Sequence, residues 1–116
     1  VSFAGVRFAF GTTDLDRTVA FYRDVLGLPV TGGFRDHDGF DGVFLALPGG
    51  AELELTHGGA APVIGGEEEL LVLYTDDLTP FRSLPTVPSG NPYWERWGLT
   101  VLDPDGRRVV LAVRSS

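Results

Sequence analysis

The segment Thr13-Asp-Leu-Asp-Arg-Thr-Val-Ala-Phe-Tyr-Arg-Asp-Val-Leu-Gly-Leu-Pro-Val30 constrains the fold more than any other part of this chain. Leu15, Val19, Tyr22, Val25 and Leu26 recur at helical period, which makes one apolar stripe. Asp14 is placed to cap the N-terminus, and Asp16 puts negative charge in the first turn, where the helix dipole favours it. Gly27 follows the last periodic residue, where a left-handed residue ends a helix. The spacing therefore predicts a helix from about Asp14 to Leu26 that packs one face on a sheet and runs straight into a strand.

Strand patterns surround it. Val6, Phe8 and Phe10 alternate with Arg7 and Ala9, so the two sets face opposite sides of a sheet. Leu28 to Phe34 and Val43 to Leu47 read as further strands, with the polar turn Arg35 to Asp41 between them. Ala51 to Thr56 alternates cleanly, Leu53 and Leu55 against Glu52 and Glu54. Residues 58–66 are rich in Gly, Ala and Pro and read as a linker. Beyond it the expected order is a strand at Leu70 to Tyr74, a short helix at Asp76 to Leu84 and an edge strand near Thr86. Two last strands, Gly98 to Leu102 and Arg107 to Val113, are joined by the turn Asp103-Pro-Asp-Gly106. The fold class is α+β: two βαβββ modules, about 5–57 and 67–114, in one domain covering 1–116. Side by side they would form a curved mixed sheet with a concave pocket and helices on the convex face, eight strands and two helices in all.

A formal net charge of −7 argues against a nucleic-acid partner, which needs a basic stripe. No apolar run approaches the ~20 residues of a membrane span. The chain has no Cys, so it has neither a disulfide framework nor thiol chemistry, and the opening residues lack the layout of a secretion signal. A cytoplasmic location is the expectation. No G-x-S-x-G, phosphate loop or dinucleotide fingerprint is present, which leaves hydrolase and nucleotide readings without support.

Three segments in this order, Asp14 to Gly27, Leu53-Glu-Leu-Thr56 and Asp103 to Leu111, resemble the vicinal oxygen chelate superfamily of glyoxalases, bleomycin-resistance proteins and extradiol dioxygenases. Asn91-Pro-Tyr-Trp94 followed by Trp97-Gly98 is similar to a sub-group of its small members. The resemblance implies the paired-module fold and, by default, a homodimer. It also implies, in catalytic members, a divalent metal on the concave face that polarises two adjacent substrate oxygens. The family's four ligand positions fall on Arg7, Glu54, about Leu70 and Val110. Only Glu54 has a lone pair to offer a metal, so no metal and no cofactor are expected.

Other constellations compete for a role. Asp36, His37, Asp38, Asp41 and His57 suggest a metal cluster but read as solvated loop residues. Glu52 and Glu54 share a strand face and suggest an acid/base pair. Tyr93, Trp94 and Trp97 are placed either to fill a core or to stack on a flat or cationic ligand.

The reading these observations favour is a metal-free binding protein of the bleomycin-resistance type that sequesters a drug-like or natural-product ligand. Its ligand-binding residues would be Arg7, Ala9, Phe44, Glu54, Leu70, Val72, Tyr74, Tyr93, Trp94, Trp97 and Val110. The alternative is a metal-independent lyase or isomerase, with Glu54 as general base and Arg7 stabilising an oxyanion. Arg7 and Glu54 are expected to pair, the guanidinium standing where the family holds its cation.

Overall fold

The computed structural model describes residues 2–114; Val1, Ser115 and Ser116, which the domain limits read from the sequence include, lie outside the described residues. The chain divides into two compact units, Val1–Val63 and Ile64–Ser116, with the boundary inside the Gly/Ala/Pro-rich stretch. Both mix strands and helix, an α+β architecture. Among the described residues no helix is long and apolar enough to cross a membrane.

The first unit runs β1 (Arg7–Gly11), α1 (Leu15–Ala20), β2 (Val30–His37), β3 (Phe40–Ala46) and β4 (Glu52–His57). Its four strands lie in the order β1-β4-β3-β2. β1 pairs parallel to β4, and the other pairs are antiparallel. Asp14 caps α1 by accepting a hydrogen bond from the Arg17 amide at 3.1 Å. The helix continues as a π-helical turn over Phe21–Val25, in which the Leu26 amide reaches back to the Phe21 carbonyl. Gly27 then takes a φ of +78° and releases the chain towards β2. Val19 and Tyr22 are buried against a layer made by Leu45, Leu53 and Leu55, and α1 packs mainly on β3 and β4.

That packing corrects two expectations. Val25 belonged to the apolar stripe, yet it is 40% exposed. The π turn inserts extra backbone per turn and carries Val25 off the buried face. Val6 and Phe8 form the apolar side of the first alternation, yet they are 56% and 45% exposed. They precede or lie on the edge strand β1, while α1 covers the strands beyond it. Register is otherwise as the alternation requires: Leu53 and Leu55 face the helix, and Glu52 and Glu54 face away.

The second unit contains β5 (Leu70–Tyr74), α2 (Pro92–Trp97), β6 (Gly98–Leu102) and β7 (Arg108–Ala112), with strand order β5-β7-β6. β5 runs parallel to β7 and β6 antiparallel to it. Val101, Val109 and Leu111 are buried, and they share one face of the sheet. The Asp103 carboxylate holds the β6–β7 turn by accepting from the amides of Asp105 and Arg107, each at 2.9 Å.

Here too the structure differs from the sequence reading. The helix expected over Asp76 to Leu84 is a single 3-10 turn, Thr79–Phe81. Thr75 and Asp77 bind local backbone with their side chains, which diverts this stretch from a helix, and Pro85 follows Leu84. The helix lies instead at Pro92–Trp97, a stretch to which the sequence reading assigned no element. Asn91 caps it by accepting from the Tyr93 amide at 2.9 Å, and Pro92 occupies the first turn. The edge strand near Thr86 shrinks to one bridge, Val87 to Thr100. The described residues therefore hold seven strands, not eight.

Candidate functional site

In the first unit, the sheet face opposite α1 gathers the polar groups. The register sets Arg7 beside Glu52, Ala9 beside Glu54, and Phe44 on the other side of Glu54. The arginine leans across β4. Its Nη2 donates to Glu52 Oε1 at 3.2 Å and its Nη1 to Glu54 Oε1 at 3.3 Å. The guanidinium carbon then lies 4.6 Å from the centre of the Phe44 ring, within cation–π range. Arg7 and Glu54 thus pair directly, and Glu52 joins them. The side chains are 47% exposed for Arg7, 42% for Glu52 and 18% for Glu54, so the cluster is open to solvent on the arginine side.

The aromatic surface continues onto β2. The Phe34 ring packs 5.8 Å from that of Phe44 at a tilt of 51°, and His37 lies against Phe34 at 6.2 Å. Phe34 pairs with Gly42 across β2 and β3. A Cβ at position 42 would run into the Phe34 ring, so the missing side chain is what lets Phe34 lie flat across β3. Phe34 and Gly42 are members of this face that the sequence reading left out, and Glu52, weighed there only as an acid/base partner of Glu54, joins the arginine. Strand alternation points Glu52 to this side. Phe34 shows no local signal, because its orientation follows from its partner across the hairpin.

These residues do not fit the family's metal. Of the four expected ligand positions, Arg7 is a cation already bound to carboxylates, Leu70 and Val110 are aliphatic, and only Glu54 is a donor. Among the described residues no group of three or more His, Cys, Asp or Glu is placed to hold an ion. The loop alternative fails for the same reason. His37 and Asp38 stand 3.9 Å apart with side chains 79% and 93% exposed, Asp41 accepts from the Asp36 amide, and His57 Nδ1 lies 3.0 Å from the Thr12 carbonyl.

The remaining candidates belong to the second unit. Leu70, Val72, Tyr74 and Val110 share one sheet face. Val110 has no exposed surface, so a ligand would reach it only where its neighbours move. Tyr74 is exposed and carries the Arg114 guanidinium 4.1 Å above its ring, beside an open hollow lined by Thr75, Asp76 and Val113. Tyr93 and Trp94 meet edge to face at 4.9 Å on α2, and the Arg96 guanidinium lies 5.1 Å from the Trp97 ring. Each of these aromatic groups already has an arginine or another ring as its partner.

Comparison with known proteins agrees with this fold. The family models for the YycE-like N-terminal and C-terminal domains match residues 6–56 and 68–113. YycE, an uncharacterized protein of Bacillus subtilis (strain 168), is 35% identical over 119 residues, covering 92% of this chain and 86% of its own. The crystal structure of a YycE protein of unknown function from Bacillus subtilis superposes with a TM-score of 0.87 at 34% identity, over 97% of this chain and 91% of that one. At 22% identity the fold is shared with the Leishmania major glyoxalase I (TM-score 0.75, 97% and 87% covered). It is also shared with TnmS3, an antibiotic-binding protein from Streptomyces sp. CB03234 (TM-score 0.71, 99% of both chains, 22% identity). The chain belongs to the YycE-like family, within the vicinal oxygen chelate superfamily of glyoxalase and bleomycin-resistance proteins.

Proposed function

We propose that this protein binds a drug-like or natural-product small molecule without a metal, in the manner of bleomycin-resistance proteins. The observation that carries the reading is the seat of Arg7. Its permanently charged guanidinium stands on Glu52, Glu54 and Phe44, at a position to which the family resemblance assigns a metal ligand in catalytic members. The face around it combines apolar rings with a few convergent polar groups, the usual make-up of a ligand site. The fold shared with an antibiotic-binding protein supports the same reading.

The lyase or isomerase alternative asks Glu54 to act as a base and Arg7 to steady an oxyanion. Arg7 engages Oε1 of Glu54 and of Glu52 together, so that reading requires a substrate that draws the guanidinium off the carboxylate serving as base. Within the proposed reading the protein works in the cytoplasm as a homodimer. The family resemblance supports the homodimer, and a chain without Cys fits the cytoplasm.

Native mass spectrometry of the protein as purified tests the reading, together with metal analysis. The expected result is a small-molecule adduct, less than one zinc, nickel, iron or manganese per chain, and binding that EDTA does not change. Stoichiometric metal whose removal abolishes binding would overturn it.

A further inference from the structure

We propose that the ligand of this face is a flat organic cation, which enters by taking the place of the Arg7 guanidinium. The inference rests on the proposed function and names the chemical class of the ligand. Two carboxylates on one strand, two residues apart, share a sheet face with an aromatic residue of the neighbouring strand, and all three meet the same guanidinium. Such a cradle suits a delocalised cation: the carboxylates accept its N–H groups while the ring faces its charge. The chain's own arginine already demonstrates the fit, with contacts of 3.2 and 3.3 Å to the two carboxylates and 4.6 Å to the ring.

Charge decides between a cation and an anion. One arginine against two glutamates leaves the cluster with a formal charge of −1, on a chain whose net charge is −7. An anion could reach the remaining N–H groups of Arg7 only by sitting beside two carboxylates that already neutralise it, on a chain of net charge −7. A cation exchanges one guanidinium-like group for another. Arg7 is suited to leave, since nearly half of its side chain is already in solvent. Phe34, held beside Phe44 by the bare backbone at Gly42, extends the wall beyond the area one guanidinium covers. The ligand class is therefore an amidinium, guanidinium or similar delocalised cation carried on an aromatic body. Arg7 serves as an internal competitor that lowers the apparent affinity for it.

The test titrates the full chain with benzamidinium, benzoate and benzyl alcohol at constant ionic strength and follows backbone amide shifts by NMR. Benzamidinium is expected to shift the amides around Arg7, Phe44 and Glu54. Its affinity should tighten about tenfold in Arg7→Ala, the factor expected if Arg7 fills the cradle about nine-tenths of the time. Arg7→Gln, which keeps most of the stem, should tighten it in the same direction and guards against misfolding of the first variant. Glu52→Gln combined with Glu54→Gln should abolish it. If benzoate or benzyl alcohol shifts this face at least as strongly, the cation inference fails while the face stands as a binding site. An absence of tightening in both Arg7 variants also overturns the inference. If benzamidinium shifts only Tyr74, Trp94 or Trp97, or no probe perturbs the face in any variant, this face is not the site of the cation and the inference fails, while metal-free binding is judged by the mass spectrometry.

Discussion

Gly42→Ala should destabilise the first unit, and the same change should stabilise it once Phe34 is gone. The new Cβ at position 42 would collide with the Phe34 ring. The backbone there has no positive φ, so the collision is the whole cost. Phe34 is half-buried, and swinging it out forfeits roughly half of a phenylalanine's burial, about 1–1.5 kcal/mol. Its tilted contact with Phe44 adds about 0.5–1.5 kcal/mol. Against this, replacing Gly by Ala narrows the unfolded ensemble and returns about 0.4–1 kcal/mol. The net is a loss of about 1–2 kcal/mol, or a melting temperature lower by about 3–10 °C for a chain of this size. In a Phe34→Ala background nothing opposes the added methyl, so Gly42→Ala should raise stability by about 0.4–1 kcal/mol. Urea unfolding of wild type, both single variants and the double variant measures the four corners of the cycle. Additive effects, or a destabilising Gly42→Ala in both backgrounds, would refute the claim that Phe34 lies across Gly42.

A second cycle, Arg7→Ala with Glu54→Gln, should give a coupling of only about 0.2–1 kcal/mol, because Arg7 is half exposed, and it should shrink in high salt. A coupling of several kcal/mol would mean the pair is a fixed structural lock and not displaceable. The Asp77 carboxyl is held below the usual carboxylate range, first by its side-chain hydrogen bond with Thr79 and then by the Thr79 backbone. A folded-state pKa below the unfolded value of about 3.9 contributes stability that is present above that pH and is lost as pH falls through the folded value. Asp77→Asn should therefore flatten the acid limb of the stability profile below about pH 4. Identical limbs in thermal melts would remove Asp77 from the account.

Local chemistry carried much of the architecture. The Asp14 cap, the Gly27 exit and the Asp103-Pro-Asp-Gly106 turn act over a few residues, and they stand where the sequence placed them. Period-two alternation likewise assigned Glu52 and Glu54 to the face away from the helix. Two local signals were weighed wrongly. Asn91-Pro92 is a cap followed by a first-turn proline, and it marked α2. The Thr75 and Asp77 side chains, binding backbone nearby, marked a turn where a helix was expected.

What only the tertiary structure decided is the composition of the binding face and what covers the core. Arg7 meets Glu52 and Glu54 across 45 and 47 residues of sequence, and Phe34 lies over Gly42 because β2 and β3 pair in one register. The π turn that exposes Val25, the open edge that exposes Phe8 and the burial of Val110 depend in the same way on how strands and helix stack. Sequence alone determined which side chains alternate and where the Asp14 cap, the Gly27 exit and the Asp103-Pro-Asp-Gly106 turn stand, since those follow from interactions within one turn or one strand. Which alternating faces meet is set by pairing and packing between distant segments, and those energies have no signature in the local order of residues.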